Sequence, residues 1–244
     1  MSLKNPKTRK SKKNKTYEKK IDMALRKLSK KYILNNPEVY RDRQSISRLI
    51  SRIDLFRKIQ NIQGSIVECG VYQGNSLFLN YHLSNIFDPY NFKRKIIGFD
   101  TFEGFPSVNK KKDRFGKKNY LNDVSYSGLK MISKIQDLNK PISHIPQISL
   151  IKGDACKTIP KFVKRNKHLI ISLLYLDFDI YEPTVIALKN LVPLMPKGAV
   201  IVFDELNDER WPGETEALKD ILNINKISLK KFSYETHTTF YEIN

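Results

Sequence analysis

Two carboxylates, Asp177 and Asp179, follow an apolar run that is typical of a buried strand. Acids this close repel each other unless a positive charge lies between them. A second pair, Asp204 and Glu205, ends the next strand-like run, about one βαβ unit further along. Since neighbouring strands lie about 5 Å apart, we expect Asp177, Asp204 and Glu205 to converge. Oxygen ligands without a nearby His or Cys suit Mg²⁺, with Ca²⁺ or Mn²⁺ as alternatives, better than zinc.

The same acids also have a purely structural interpretation. Asp204 and Glu205 would then cap the following helix, and Asp177 would pair with a lysine. Residue types and spacing leave both interpretations open.

The stretch VECGVYQGNS (67–76) is typical of a strand, a tight glycine turn and a helix start. Gly70 and Gly74 allow the backbone to approach a ligand closely, and Asn75 or Ser76 is expected to cap the helix. The G-x-x-x-G spacing does not meet the dinucleotide pattern G-x-G-x-x-G, which disfavours a nicotinamide cofactor. A tight turn without a ligand is the alternative.

Acids also end the other predicted strands. Asp100, in GFDTFEG, is expected to accept hydrogen bonds from ribose hydroxyls, with helix capping as the alternative. Asp154, in KGDA, is expected to reach an adenine amino group, and Glu68 is expected to face the cationic end of a cofactor or to order the loop. Because ligands bind at the carboxyl ends of parallel strands, this row of acids predicts a nucleotide-type site.

Strand-like runs alternate with helical patterns along the chain, which predicts βαβ crossovers and a mostly parallel sheet with helices on both faces. Two further runs at the C-terminus predict a terminal antiparallel pair at the sheet edge. The fold class predicted is therefore α/β and Rossmann-like. The five parallel runs are 65–70, 95–100, 147–154, 169–177 and 198–205.

The net charge of +19 is unevenly distributed, because residues 1–31 carry thirteen Lys and Arg against two acids. We predict a disordered basic tail over 1–16, an N-terminal helical arm over 17–62 and the α/β domain over 63–244. The arm has an apolar stripe at helical spacing. This stripe permits packing on the core, a homo-oligomer contact, or contact of the basic arm with a membrane surface or another polyanion.

Residues 106–128 form a polar, Lys-rich segment that is too long for an ordinary loop, which predicts a lid or a disordered segment. Cys69 and Cys156 lack metal-ligand spacing and are expected to be reduced thiols of a cytoplasmic protein. The basic N-terminus is not followed by the apolar region of a secretory signal.

Five motifs in one order resemble the macrocin O-methyltransferase family: E-C-G-V-x-x-G-x-S, F-D-x-F-E-G-x-P, L-D-x-D-x-Y-E-x-T, D-E and P-G. The resemblance spans about residues 60–243. It implies a class I methyltransferase fold with a seven-stranded sheet, S-adenosylmethionine as cofactor and a small hydroxylated acceptor, often a deoxysugar. It also implies that Asp177, Asp204 and Glu205 hold a divalent cation, chiefly Mg²⁺, and that Asp179 is the general base.

The S-adenosylmethionine site that we expect takes residues from the glycine turn and from the ends of the following strands. Its members are Glu68, Gly70, Tyr72, Gly74, Asn75, Ser76, Asp100, Thr101, Phe102, Asp154, Ala155 and Asp177.

Two other classes of function compete with a small-molecule O-methyltransferase. An RNA methyltransferase would gain phosphate affinity from the positive charge. Against it, most of the charge lies in the N-terminal segment, and no N-P-P-Tyr-type motif ends the fourth strand, so nucleic acid is not the expected partner. A non-catalytic basic binding module is the second alternative. Loss of methyl transfer on removal of residues 1–31 would favour a structural role for the arm, and loss of salt-sensitive binding alone would favour tethering.

Overall fold

The computed structural model describes residues 12–113 and 124–244 of the chain. Within them lies a seven-stranded sheet whose strands are β1 (Ser65–Cys69), β2 (Ile96–Asp100), β3 (Ile148–Lys152), β4 (Ile171–Leu176), β5 (Val200–Phe203), β6 (Lys230–Lys231) and β7 (Thr239–Glu242). Their order is β3-β2-β1-β4-β5-β7-β6. Strands β1 to β5 are parallel, β7 is antiparallel to β5, and β6 pairs with β7 at the edge. The predicted fold class is confirmed.

The helices are α1 (Lys12–Leu25), α2 (Lys30–Asn35), α3 (Arg43–Ile59), α4 (Asn75–Phe87), α5 (Tyr126–Asp137), α6 (Ala155–Arg165), α7 (Tyr181–Leu191) and α8 (Pro212–Ile221), with short 3-10 turns at Pro37–Val39, Val192–Leu194 and Ile224–Lys226. Helix α1 begins inside the segment 1–16 that composition assigns to a tail, whereas residues 1–11 lie outside the described part. Part of the predicted lid, residues 114–123, also lies outside it.

Side chains that alternate along the central strands fill two cores, one on each face of the sheet. Leu173 and Tyr175 of β4 pack on the face covered by α3, α4 and α5. Leu174 and Leu176 pack on the opposite face, against α6, α7 and α8. Because both faces are covered, the carboxyl ends of the parallel strands form the edge where polar side chains can gather.

The chain divides into two compact units, Met1–Leu49 and Ile50–Asn244. The smaller unit exposes apolar side chains, including Met23 (60%) and Leu34 (66%). The boundary lies inside α3 and not after residue 62, the end of the arm predicted from sequence. The physical reason is that the second half of α3 is buried in the core of the larger unit through Leu55, Phe56 and Ile59.

In the described parts of the chain, no helix is both long enough and apolar enough to cross a membrane.

Candidate active site

The glycine turn between β1 and α4 lies against the end of β4. Gly70 has φ +95°, and a Cβ atom there would lie 1.9 Å from the carbonyl oxygen of Asp177. The close approach that requires glycine is therefore one between two strand ends. Gly74, with φ +84°, is the N-cap of α4, so Asn75 and Ser76 are the first helical residues and do not cap the helix as expected. A left-handed residue before the helix places the cap one position earlier than the side chains suggested.

Asp100, at the end of β2, organises this turn through backbone hydrogen bonds. Its Oδ2 accepts hydrogen bonds from the amides of Val71 and Tyr72, both at 2.8 Å. Its Oδ1 accepts one from the amide of Phe102 at 2.6 Å. The acid therefore holds the turn in place in addition to facing the cavity described next.

One cavity opens at the carboxyl edge of the sheet, between the glycine turn and the end of β4. Of the expected cofactor residues, those that line it are Gly70, Tyr72, Asp100, Thr101, Asp154, Ala155 and Asp177. Asp179 lines the same cavity, as do Phe105, Pro106 and Ser107 from the start of the predicted lid. The remaining expected cofactor residues, which are not among its lining residues, are Glu68, Gly74, Asn75, Ser76 and Phe102.

Phe102 is packed in the core. It is 4% exposed, and its ring centre lies 4.9 Å from that of Tyr126. Asp154 keeps its place in the cavity wall, although one of its oxygens caps α6 by accepting a 2.9 Å hydrogen bond from the amide of Cys156. The strand-end position of a residue thus predicts which region of the protein it occupies, but it does not predict where its side chain points.

The strand pairing brings the acids that follow β4 and β5 to neighbouring positions at one edge of the sheet. Leu176 lies opposite Phe203 in the parallel ladder, so Asp177 and Asp204 leave adjacent strands at the same level. The amide of Asp204 donates a 3.1 Å hydrogen bond to the carbonyl oxygen of Leu176, which continues the ladder to this point. The sequence-based expectation that these carboxylates converge is consistent with this register.

These carboxyl groups are electrostatically strained. Burial, reinforced by the charges of Asp204 and Asp179, raises the pKa of Asp177 well above its usual range. Burial and then Asp204 raise the pKa of Asp179 to about 7. Burial, Asp204 and Asp179 together raise the pKa of Glu205 to about 8. These carboxyl groups therefore tend to retain protons unless a positive charge lies beside them.

A half-buried arginine from α3 supplies part of the missing positive charge. The guanidinium carbon of Arg52 lies 5.1 Å from the ring centre of Tyr175. The Tyr175 hydroxyl in turn donates a 2.9 Å hydrogen bond to Oδ1 of Asp204. Burial alone would lower the pKa of Arg52, but Tyr175, Asp204 and Glu68 raise it. Sequence reasoning missed Arg52; its signal was an arginine on the apolar side of α3, at helical spacing from Phe56.

Glu68 lies in the same buried region, on β1, with 2% of its surface exposed. Burial raises its pKa to about 8; Arg52 opposes this shift and Asp100 adds to it. Among the described residues, no hydrogen-bond partner reaches its Oε2. Glu68 is not among the residues that line the cavity, and the expectation that it faces the cofactor or orders the loop stays a prediction.

Glu214, in the first turn of α8, is the second functional candidate that sequence reasoning missed. It is fully buried (0% exposed). Its Oε1 accepts a 3.3 Å hydrogen bond from the amide of Asp179, and its Oε2 accepts a 3.2 Å bond from the amide of Glu205. The available signal was an acid at helical spacing from the buried Ala217 and Leu218.

One observation argues against a divalent cation at this site, and two argue for it. Within residues 12–113 and 124–244, no three His, Cys, Asp or Glu side chains are arranged to hold a metal ion. The donor chemistry nevertheless suits a hard cation, because the converging side chains are carboxylates. Oε2 of Glu205 is also buried, and no described group is hydrogen-bonded to it.

Comparisons with known proteins agree with this architecture. The model of the Macrocin-O-methyltransferase (TylF) family matches residues 7–242. The match therefore includes the whole N-terminal arm (17–62), nearly all of which lies outside the resemblance seen in the motifs. A search of curated proteins found no match.

Three solved structures are similar to this one. The crystal structure of the calicheamicin methyltransferase CalS11 shares 30% identity over 95% of this chain and 93% of that chain, with a TM-score of 0.88. Apo CalS11, described as a TDP-rhamnose 3'-O-methyltransferase, shares 27% identity over 95% of each chain, with a TM-score of 0.82. The O-methyltransferase NovP shares the fold at 21% identity, over 82% of this chain and 80% of that chain, with a TM-score of 0.66.

The family match spans nearly the whole chain, and the cavity joins the glycine turn to the acids after β4. The chain therefore belongs to the macrocin O-methyltransferase family and is an S-adenosylmethionine-dependent O-methyltransferase.

Proposed function

We propose that this enzyme methylates a hydroxyl group of a sugar or a sugar-containing metabolite and that it requires a divalent cation. The observation that carries the proposal is the composition of the cavity. Asp177 and Asp179 line the same cavity as Gly70 and Asp100, so a methyl donor held at the glycine turn would lie beside carboxylates. CalS11, described as a TDP-rhamnose 3'-O-methyltransferase, supports a sugar acceptor. Family membership favours such a small acceptor over RNA.

The cofactor-binding role falls on the cavity residues around the glycine turn. Gly70 and Tyr72 line this cavity together with Asp154 and Ala155. Asp100 fixes the turn by accepting hydrogen bonds from the amides of Val71 and Tyr72. S-adenosylmethionine supplies an electrophilic methyl group on a positively charged sulfur.

Asp177, Asp204 and Glu205 would hold the divalent cation. When bound, the cation lowers the pKa of an acceptor hydroxyl and fixes its position. Asp179 is the residue that takes the proton from this hydroxyl, because it lines the cavity and its carboxylate is the appropriate acceptor. Its backbone amide is held by Glu214, which keeps the general base at the cavity wall.

An acceptor screen with labelled S-adenosylmethionine tests this proposal. We expect methyl transfer to nucleotide-linked deoxysugars or their glycosides, loss of transfer after chelation of divalent ions, and recovery on addition of Mg²⁺. Turnover that is unchanged after chelation and dialysis would contradict the cation requirement. Transfer to RNA but to no sugar would contradict the proposed acceptor class.

The N-terminal arm carries a separate proposal, a contact between copies of the enzyme. The segment 1–31 exposes apolar side chains, among them Tyr17, Met23 and Leu28, on a basic background. We expect size-exclusion chromatography with light scattering to show an oligomer that becomes a monomer when residues 1–31 are removed. Liposome flotation of the full chain but not of the truncated chain, with no oligomer present, would instead favour contact with a membrane surface.

A further inference from the structure

The first turn of α8 accepts hydrogen bonds from two loops of the active site. Glu214 accepts one from the amide of Asp179, in the loop after β4, and another from the amide of Glu205, after β5. The neighbouring Thr215 accepts a 2.9 Å hydrogen bond through Oγ1 from the amide of Asn207. A single helical turn therefore joins the loop that carries the proposed base to the loop that carries a proposed cation ligand.

Each loop contains a residue in a backbone conformation that needs such support. Asp179 has φ +60° and Asn207 has φ +62°. Positive φ is uncommon outside glycine, and Asp and Asn are the residues that tolerate it best. Glu214 and Thr215 hold the amides of these two residues, so the side chains of α8 stabilise both left-handed positions directly.

The helix also packs on the backbone of the base loop. A Cβ atom at Gly213 would lie 2.9 Å from the carbonyl oxygen of Asp179 and 2.7 Å from the amide nitrogen of Tyr181. It would also lie 2.6 Å from Oδ1 of Asp113. That oxygen accepts a 2.8 Å hydrogen bond from the amide of Tyr181. The segment 179–181 is therefore fixed from several sides at once.

The geometry points to Glu214 as a positioning residue that sets the separation of Asp179 and Glu205, for the reaction proposed above and resting on that proposed function. Glu214 is not among the residues that line the cavity, so it acts through the loops that it joins. A shift of about 1 Å in a reacting group can lower a rate on the order of 100-fold. One carboxylate that spans both loops keeps the base in register with the acids that would hold the cation.

The substitution Glu214→Gln preserves the volume of the side chain but turns one acceptor oxygen into a donor that faces a backbone amide. We expect kcat to fall about 100-fold. The dissociation constant for S-adenosylmethionine should stay within a few-fold, because the Asp100 bonds that hold the glycine turn remain. Glu216→Gln is the matched control. It is the same change on the same helix, but it removes only a part-exposed 3.1 Å ion pair with Lys112 and should leave kcat unchanged.

Gly213→Ala is a second variant that retains every hydrogen-bonding side chain. Its added methyl group must displace the segment 179–181, so we expect a similar fall in kcat with cofactor affinity retained. A folded Glu214→Gln protein with wild-type kcat would overturn the inference.

If the variants do not fold, amide hydrogen exchange of the wild-type enzyme tests whether Glu214 holds the two loops. The inference requires slow exchange at Asp179 and Glu205, and exchange as fast as that of unbonded amides would overturn it. If the wild-type enzyme methylates no acceptor, the proposed function fails. Protection of these two amides, and its loss in Glu214→Gln, would still support the bridge between the loops.

Discussion

The carboxyl edge of the sheet has two halves that treat their acids differently. In the cofactor half, at the ends of β2 and β3, Asp100 and Asp154 accept hydrogen bonds from nearby backbone amides. In the acid half, after β4 and β5, burial and mutual repulsion raise the pKa values of Asp177, Asp179 and Glu205.

The difference shows which part of the site the chain completes by itself. Backbone amides satisfy a carboxylate without any added charge, so the cofactor half is fully assembled by the fold. The acid half gathers several carboxylates around Arg52, and these must bind protons or a further cation to coexist. In the cofactor half, backbone amides thus satisfy the carboxylates. In the acid half, the carboxyl groups still need protons or a cation.

The largest effect should come from removing the proposed base. Asp179→Asn retains the shape of the side chain but cannot take a proton, so we expect kcat to fall by about 10²–10⁴. Affinity for S-adenosylmethionine, measured by calorimetry, should change little. Glu38→Gln, a change at an exposed acid whose ion pair is a 3.8 Å contact with Arg41, is the control and should retain turnover. A wild-type kcat in the Asp179 variant would show that Asp179 is not the general base.

The next effect concerns Arg52, the positively charged residue near the acid half. Arg52→Met removes the positive charge that acts on Asp204 and Glu68, so we expect the free energy of unfolding to fall by about 0.5–3 kcal/mol. Urea denaturation followed by fluorescence measures this loss. Arg57→Met, an exposed change on the same helix, should leave stability nearly unchanged. Equal stability of the two variants would show that Arg52 does not support the acid half.

A pH experiment on Glu68 sharpens the comparison, since this buried acid belongs to β1 yet is placed beside Arg52. Burial raises its pKa to about 8, from 4.5 in the unfolded chain. Between these values the folded state retains a proton that the unfolded state releases. Glu68 therefore lowers the free energy of unfolding progressively as the pH rises from 4.5 to 8.

Glu68→Gln removes this titration. We expect the stability of the wild type relative to that of the variant to fall between pH 5 and pH 8, by a few kcal/mol in total. Denaturant unfolding across this range measures the difference. Parallel curves for the two proteins would mean that Glu68 is ionised in the folded state.

The smallest of these effects should come from the cofactor half. Asp100→Asn weakens the support of the Val71 and Tyr72 amides, so we expect S-adenosylmethionine binding to lose about 1–3 kcal/mol. The value of kcat at saturating cofactor should stay close to that of the wild type, the reverse of the pattern for Asp179→Asn. A large fall in kcat with unchanged cofactor affinity would contradict the claim that Asp100 acts in cofactor binding and not in the reaction.

Local sequence patterns were sufficient to predict the elements of the fold. Each of the five parallel strands lies within its predicted run, and α4 begins inside the stretch 67–76 that predicted a helix start. The strand-end rule also placed Asp100, Asp154 and Asp177 around one cavity. These predictions succeed because apolar periodicity and the direction of parallel strands are encoded locally.

The remaining features depend on tertiary contacts. Arg52 and Glu214 come from α3 and α8, and no local pattern states which strand end each helix will cover. Phe102 was expected in the cofactor site, but it follows Asp100 with φ +55° and packs in the core. A single left-handed residue changes the direction of a side chain in a way that strand periodicity does not predict.

The most direct test of the account is a calorimetric titration of Mg²⁺, with Mn²⁺ as a second probe, into enzyme freed of metal by chelation. The wild type should bind one divalent ion, Glu205→Gln and Asp177→Asn should lose that binding, and Asp154→Asn in the cofactor half should retain it. Absence of binding by the wild type, or equal binding by all four proteins, would contradict the claim that the acid half is completed by a cation.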